Sequence, residues 1–259
     1  MCLARRKNMI VFNTDLDNTI IYSHKRNIGQ NKKCVEIYEG REVSYITHKT
    51  EILLQAIQEH CLFVPTTTRT TEQYHRIQLG IGVPEYALTC NGGVLLKKDE
   101  FQEDWYQDSL KLIENCTDEL QKAEYWLERD ENRSMEVRNI EKLFIFTKSN
   151  QPKQTIAELR KTLDTSLVDV FHNGVKVYVV PKQLNKGMAV NRLRKLLHPD
   201  YVIAAGDSEF DILMLKAADL GIAHPELFKT VQFDRTVITM PEQEVFSDAL
   251  LTHIVKNYP

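Results

Sequence analysis

The chain has 259 residues, 42% hydrophobic and 27% charged, with a formal net charge of -3. That length holds one large domain or two modest ones. The charge balance gives no basic field to hold nucleic acid, and no apolar run is long enough to span a membrane.

Arg5, Arg6 and Lys7 precede residues 9–12 (MIVF), a run too short for a signal-peptide core, so the chain is read as cytoplasmic. That run, ending at Asn13, Thr14 and Asp15, fits a strand buried on both faces of a parallel sheet. Residues 33–47 alternate around Glu39-Gly40 and predict a hairpin flap. A helical stripe at Ile52, Leu53, Ala56 and Ile57 leads to a second run at 61–64 (CLFV), closed by Pro65. Ile77 and Leu79 suggest a helix before a third run at 86–90 (YALTC), closed by Asn91-Gly92-Gly93. Met188, Val190, Leu193, Leu196 and Leu197 form a helical stripe before a fourth run at 201–205 (YVIAA). Ile212, Leu213, Leu215 and Ala217 follow, and residues 219–223 and 236–240 supply two further strands. Strands alternating with helices predict an α/β fold with a Rossmann-like parallel sheet and ligands at its carboxyl edge.

Residues 94–180 read differently. A strand at 142–147, a helix at 156–163 and a strand pair around Asn173-Gly174 predict an inserted α+β domain, with 1–93 and 181–259 forming the core. The five cysteines are odd in number and none forms a CxxC pair, so Cys61 and Cys90 read as buried free thiols.

Four polar clusters lie at strand ends or helix starts. Asp15 and Asp17, two apart, face one pocket if the chain stays extended. Such a pair suits magnesium, or equally an Asx turn or helix cap. Thr66-Thr67-Thr68-Arg69 suits phosphate at a strand-to-helix turn, or simple capping. Lys186-Gly187 opens a helix where a cation neither caps nor favours the dipole, although a surface lysine fits too. Asp207 and Asp211 flank a helix start; capping accounts for the first and leaves the second unexplained.

Taken in order, DxDxT, strand-Thr, Lys-Gly and GDxxxD resemble the haloacid dehalogenase-like superfamily of phosphohydrolases. NTDLDNT, TTTRT, TCNGG, NKGMAV and GDSEFDILML resemble its Cof-type branch, which includes sucrose-phosphate and mannosyl-phosphoglycerate phosphatases. The resemblance implies a core with a C2-type α+β cap inserted between the second and third motifs. It implies Asp15 as the nucleophile, Asp17 as general acid and then base, and Lys186 as the neutralising cation. It also implies Mg2+ held by Asp15, the backbone carbonyl of Asp17, and Asp207, with Asp211 supporting the metal. Thr67, Thr68 and Arg69 would bind phosphate, with Lys186; Arg69 can equally take a carboxylate. Asn91 and Gly92 would lie on the substrate side, and His172, Asn173 and Lys176 are candidates in the cap. The partner implied is a small phosphorylated metabolite, a sugar phosphate foremost. Two departures stand out: Thr68 replaces the usual glycine, and Phe210 replaces the usual asparagine before the last aspartate. A phosphosugar mutase or a non-catalytic module on the same fold are the rival readings.

Overall fold

Ile10, Val11 and Phe12 give β1 (Ile10–Thr14) its β-branched and aromatic character, and Val11 to Thr14 are all buried. In the computed structural model, which describes residues 9–258, this strand is flanked on both sides. The chain continues through β2 (Tyr22–Ser23), β3 (Lys32–Tyr38), β4 (Arg41–Thr47), α1 (His48–Gln58), β5 (Leu62–Pro65), α2 (Thr71–His75), β6 (Tyr86–Thr89), β7 (Val94–Lys97) and β8 (Glu100–Phe101). A second unit, Gln102–Asn185, follows with α3 (Glu103–Leu112), α4 (Thr117–Glu128), β9 (Arg138–Ile140), β10 (Phe144–Lys148), α5 (Pro152–Thr162), β11 (Val168–Asn173) and β12 (Lys176–Pro181). The chain returns to the first unit with α6 (Lys186–Leu197), β13 (Tyr201–Gly206), α7 (Ile212–Ala217), β14 (Leu220–Ala223), α8 (Pro225–Thr230), β15 (Val237–Thr239) and α9 (Phe246–Asn257).

The first unit is built on a parallel sheet of order β15-β14-β13-β1-β5. Asp15, Thr66 and Asp207 follow directly on β1, β5 and β13, so the polar clusters collect at one carboxyl edge. Two glycines permit close packing there. A Cβ on Gly187 would lie 2.4 Å from the Leu213 carbonyl oxygen, and one on Gly206 would lie 2.3 Å from the Asp211 Cβ. Residues 33–47 do form a hairpin, with Glu39 and Gly40 both at positive φ in its turn. Its base is tied to α9, where Thr47 Oγ1 and Thr50 Oγ1 both donate to Asp248 Oδ1.

Three sequence expectations shift. The run at 86–90 does not join the parallel sheet as a full strand; β6 pairs antiparallel with β7, and only a bridge between Thr66 and Leu88 links it to β5. Residues 94–101 therefore hydrogen-bond within the first unit, and the second unit begins at Gln102 and ends at Asn185. The helix expected around Ile77 lies earlier, at α2, because Thr70 and Gln73 form a capping box there.

The second unit is an antiparallel sheet of order β11-β12-β10-β9 with helices packed on it. Val168, Val170, Val177 and Val179 alternate inward with Leu120, Ala123, Leu127 and Leu159 buried as well. Phe146, Tyr178 and Phe171 form a row of ring contacts on neighbouring strands. No described helix is long and apolar enough to cross a membrane. Cys61, Cys90 and Cys116 are buried thiols and Cys34 a half-buried one, none of them in a disulfide among the described residues, and Cys2, with Arg5, Arg6 and Lys7, lies outside the described residues. Burial pushes the Cys61 thiol up to about 11, which keeps it protonated and inert.

Candidate active site

Asp15 follows β1, and its backbone N–H donates to the Ala205 carbonyl of β13 at 2.9 Å. The side chain is buried and receives a hydrogen bond from Lys186 Nζ at 2.5 Å. Lys186 also donates to Asp211 Oδ1 at 2.6 Å. The other oxygen of Asp211 accepts from the backbone N–H of Asp207 and Ser208 and from Ser208 Oγ, at 3.1, 3.0 and 2.9 Å. Asp211 thus holds both the lysine and the loop that carries Asp207. Phe210 is half-buried beside it, and these backbone contacts organise the loop without an asparagine at that position.

Carboxylate oxygens of Asp15, Asp207 and Asp211 lie within 4.8 Å of one another, around the single ammonium of Lys186. The surplus of negative charge shows in the titration of Asp15 and Asp207. Burial pushes Asp15 well above the usual carboxylate range, and Asp211, Asp207 and Asp17 add to this against the pull of Lys186. Burial likewise pushes Asp207 up to about 7, with Asp211 adding to it and the Lys186 charge and an Asn18 hydrogen bond opposing. Burial disfavours the Lys186 charge, but Asp15 and Asp211 outweigh it and hold the ammonium charged. Clustered oxygen donors with excess negative charge fit Mg2+.

Asp17 takes a different partner. After Asp15 the chain turns instead of staying extended: the N–H groups of Thr19, Ile20 and Ile21 all donate to the Leu16 carbonyl, and Asn18 sits at φ 59°. The Asp17 carboxylate is therefore outside the three-acid cluster. It receives Arg69 Nε and Nη2 as a bidentate fork at 2.7 and 2.8 Å. The remaining Arg69 nitrogen, Nη1, donates to Glu36 Oε1 at 2.9 Å. Arg69, one of the residues expected on phosphate, binds two carboxylates here.

Main-chain hydrogen bonds join the second and third motifs. Thr67 N–H donates to Leu88 O, Asn91 N–H to Thr67 O, and Cys90 N–H to Arg69 O, at 2.8, 2.9 and 2.7 Å. Cys90, Asn91 and Gly92 all have positive φ, which turns the third motif back over Thr67. Thr67 Oγ1 accepts from Arg69 N–H at 3.1 Å and is buried. Thr68 has no positive φ, so a side chain replaces glycine there without strain. α6, carrying Lys186, packs against this turn. His172, Asn173 and Lys176 lie at the β11–β12 turn of the second unit, where His172 Nδ1 contacts the Gly174 carbonyl.

Sequence reasoning missed Glu36 and Asn18. Asn18 had a readable signal, since asparagine tolerates the left-handed turn and sits inside the motif. Glu36 had none: in an alternating hairpin it reads as one of the outward polar positions.

Residues 100–226 match the family model for haloacid dehalogenase-like hydrolases. Over that segment the chain is similar to this family. The fold agrees over nearly its whole length. Sucrose-phosphatase from Synechocystis, solved with sucrose and phosphate, superimposes with a TM-score of 0.67 at 18% identity, covering 97% of this chain and 98% of that one. A haloacid dehalogenase-like hydrolase from B. subtilis gives 0.59 at 15%, covering 96% and 99%. Trehalose-6-phosphate phosphatase from Aspergillus fumigatus gives 0.52 at 12%, covering 96% and 93%. No curated protein matches in sequence. The matched segment is thus that of a hydrolase family of enzymes, and phosphatases are among the solved structures that share the chain's fold.

Proposed function

We propose that the protein is a Mg2+-dependent phosphomonoester hydrolase acting on a small phosphorylated metabolite, with sugar phosphates the favoured class. The observation that carries this reading is the buried Lys186 bridging Asp15 and Asp211 beside Asp207. A nucleophilic carboxylate can attack an anionic phosphoryl group only where its own charge and that of the phosphoryl oxygens are neutralised. Asp15, Asp207 and the Asp17 backbone carbonyl would hold the metal, and Asp211 would brace them. When bound, the cation would offset the negative charge on the nucleophile and the phosphoryl oxygens.

In the first half-reaction an Asp15 carboxylate oxygen bonds to phosphorus and the bond from phosphorus to the leaving oxygen breaks. Asp17, protonated, gives its proton to that oxygen, which leaves as the alcohol, and Asp17 becomes a carboxylate. In the second half-reaction the Asp17 carboxylate takes a proton from water, whose oxygen attacks the aspartyl-phosphate. Phosphate departs, and Asp15 and protonated Asp17 are regenerated. Lys186 holds Asp15 in place and carries positive charge throughout. Buried Thr67 offers its hydroxyl for the transferred phosphoryl, and the Asn91-Gly92 turn that folds back over it would line the substrate side.

The sugar-phosphate class rests on the neighbours: the sucrose-phosphatase was solved with sucrose and phosphate, and another neighbour is a trehalose-6-phosphate phosphatase. The second unit ends at Asn185, immediately before Lys186, and is the segment suited to act as a cap that reads the leaving group. A panel of phosphometabolites assayed with and without Mg2+ tests the reading. Mg2+-dependent phosphate release, fastest among sugar phosphates, is expected. No release from any member would overturn it, and interconversion of hexose phosphates without release would indicate a mutase instead.

A further inference from the structure

Glu36 belongs to the flap hairpin, not to any of the four motif clusters, yet it is 2% exposed. Its burial follows from a local break in the strand. Regular alternation along β3 would alternate inward and outward side chains, but Val35 and Glu36 are both buried and Ile37 and Tyr38 both exposed. The β3–β4 ladder shifts register on both sides of Glu36, as at a bulge, which re-aims this one side chain inward. The site is braced from the other side too: Gln78 N–H donates to the Val35 carbonyl at 2.7 Å, and Glu36 bridges to Ile77.

Once inside, Glu36 is fully engaged. Oε2 accepts from Ser44 Oγ at 2.6 Å, and Oε1 accepts from Arg69 Nη1 at 2.9 Å and Arg76 Nε at 3.2 Å. Arg69 then presents its opposite edge to Asp17 as a planar fork. A guanidinium gripped at one end by a buried carboxylate has its plane fixed. It therefore fixes the plane of the carboxylate at its other end. The Arg69 backbone is held by Thr67 Oγ1 and the Cys90 N–H, and beyond the carboxylates its guanidinium reaches the Gln73 carbonyl from Nη1 only at 3.5 Å.

We propose that Glu36 is a positioning residue which, acting through Arg69, orients Asp17 for proton transfer to the leaving oxygen, so that the flap hairpin takes part in the chemical step. The proposal rests on the phosphohydrolase reading and assigns Glu36 no contact with substrate. Its effect must depend on how much the leaving group needs a proton. An alkoxide is a poor leaving group and depends on the acid; a nitrophenolate leaves without one.

The test measures kcat/KM in Mg2+ for p-nitrophenyl phosphate and for the alkyl phosphate that the wild type hydrolyses fastest. Glu36→Ala should lower the alkyl value by about 30-fold and the aryl value by no more than about threefold. Glu36→Gln keeps an acceptor for Arg69 and should recover much of the alkyl rate; if Glu36→Ala does not fold, the alkyl-to-aryl ratio of Glu36→Gln, lowered relative to wild type, carries the test. Folded variants that lose both esters by the same factor, or neither, overturn the proposal while leaving the phosphohydrolase reading intact. A wild type that turns over no alkyl phosphate removes that reading and the proposal with it.

Discussion

Lys186 Nζ lies 2.5 Å from Asp15 Oδ1, and 1% of the lysine side chain is exposed. The two residues are 171 positions apart, and the second unit falls between them. A buried ammonium with two carboxylate partners and a third acid nearby is stable only as a set. Removing the lysine leaves buried like charges facing one another. Lys186→Met should therefore destabilise the protein by about 3–5 kcal/mol in metal-free buffer, read by denaturant unfolding. Mg2+ should restore part of that loss, because it supplies the missing positive charge. A loss below about 1 kcal/mol would show that the cluster does not depend on Lys186.

Asp207 and Asp211 should separate by substitution. Asp211 binds Lys186, two backbone N–H groups and Ser208 Oγ, whereas Asp207 offers its carboxylate to the cluster. Asp207→Asn should keep its metal-free melting temperature and lose the rise that Mg2+ gives the wild type. Asp211→Asn should lower the metal-free melting temperature itself, by the equivalent of about 2–3 kcal/mol for a buried charged hydrogen-bond group. Equal effects from the two variants would contradict this division.

Glu36 makes stability depend on pH in a defined direction. Burial pushes its carboxyl up, but hydrogen bonds from Arg69 and Ser44 and the charges of Arg69 and Arg76 outweigh this and hold it below the usual range. A carboxyl whose folded value is depressed contributes stability above its unfolded pKa and loses it as pH falls through the folded value. Wild type should exceed Glu36→Gln by about 1.5–3 kcal/mol at neutral pH, and the gap should close as pH drops below the ordinary glutamate value of about 4.3. A gap that stays constant or widens in acid would rule out the ionised Glu36 network.

The second unit should be separable from chemistry in the same way. Replacing residues 102–185 with a short linker should leave a folded first unit. That unit should lose discrimination among phosphometabolites more than it loses hydrolysis of p-nitrophenyl phosphate. Unchanged substrate preference would remove the cap role.

Much of the core was legible because parallel strands are buried on both faces and read as continuous apolar runs: the runs at 9–12, 61–64 and 201–205 become β1, β5 and β13. The run at 86–90 has the same composition but pairs antiparallel with β7, and nothing in an apolar run specifies its partner. The helix near Ile77 was misplaced because apolar spacing carried the reading, while the Thr70–Gln73 capping box carried the fold. Motif spacing gathered Asp15, Lys186, Asp207 and Asp211 as candidates, and the structure sets them side by side. The partners of Asp17 were not legible. They depend on a turn after Asp15 and a register shift at Glu36, both set by backbone pairing and not by residue type.

The most direct test of the account is to locate the covalent intermediate. Enzyme turning over an alkyl phosphate in Mg2+ is quenched in acid, digested and sequenced by mass spectrometry. The account predicts a hydroxylamine-labile phosphoryl group on the peptide bearing Asp15, and neither phosphoryl-enzyme nor phosphate release from a folded Asp15→Asn variant. Phosphoryl on another residue, or phosphate release by Asp15→Asn at the wild-type rate, would contradict it.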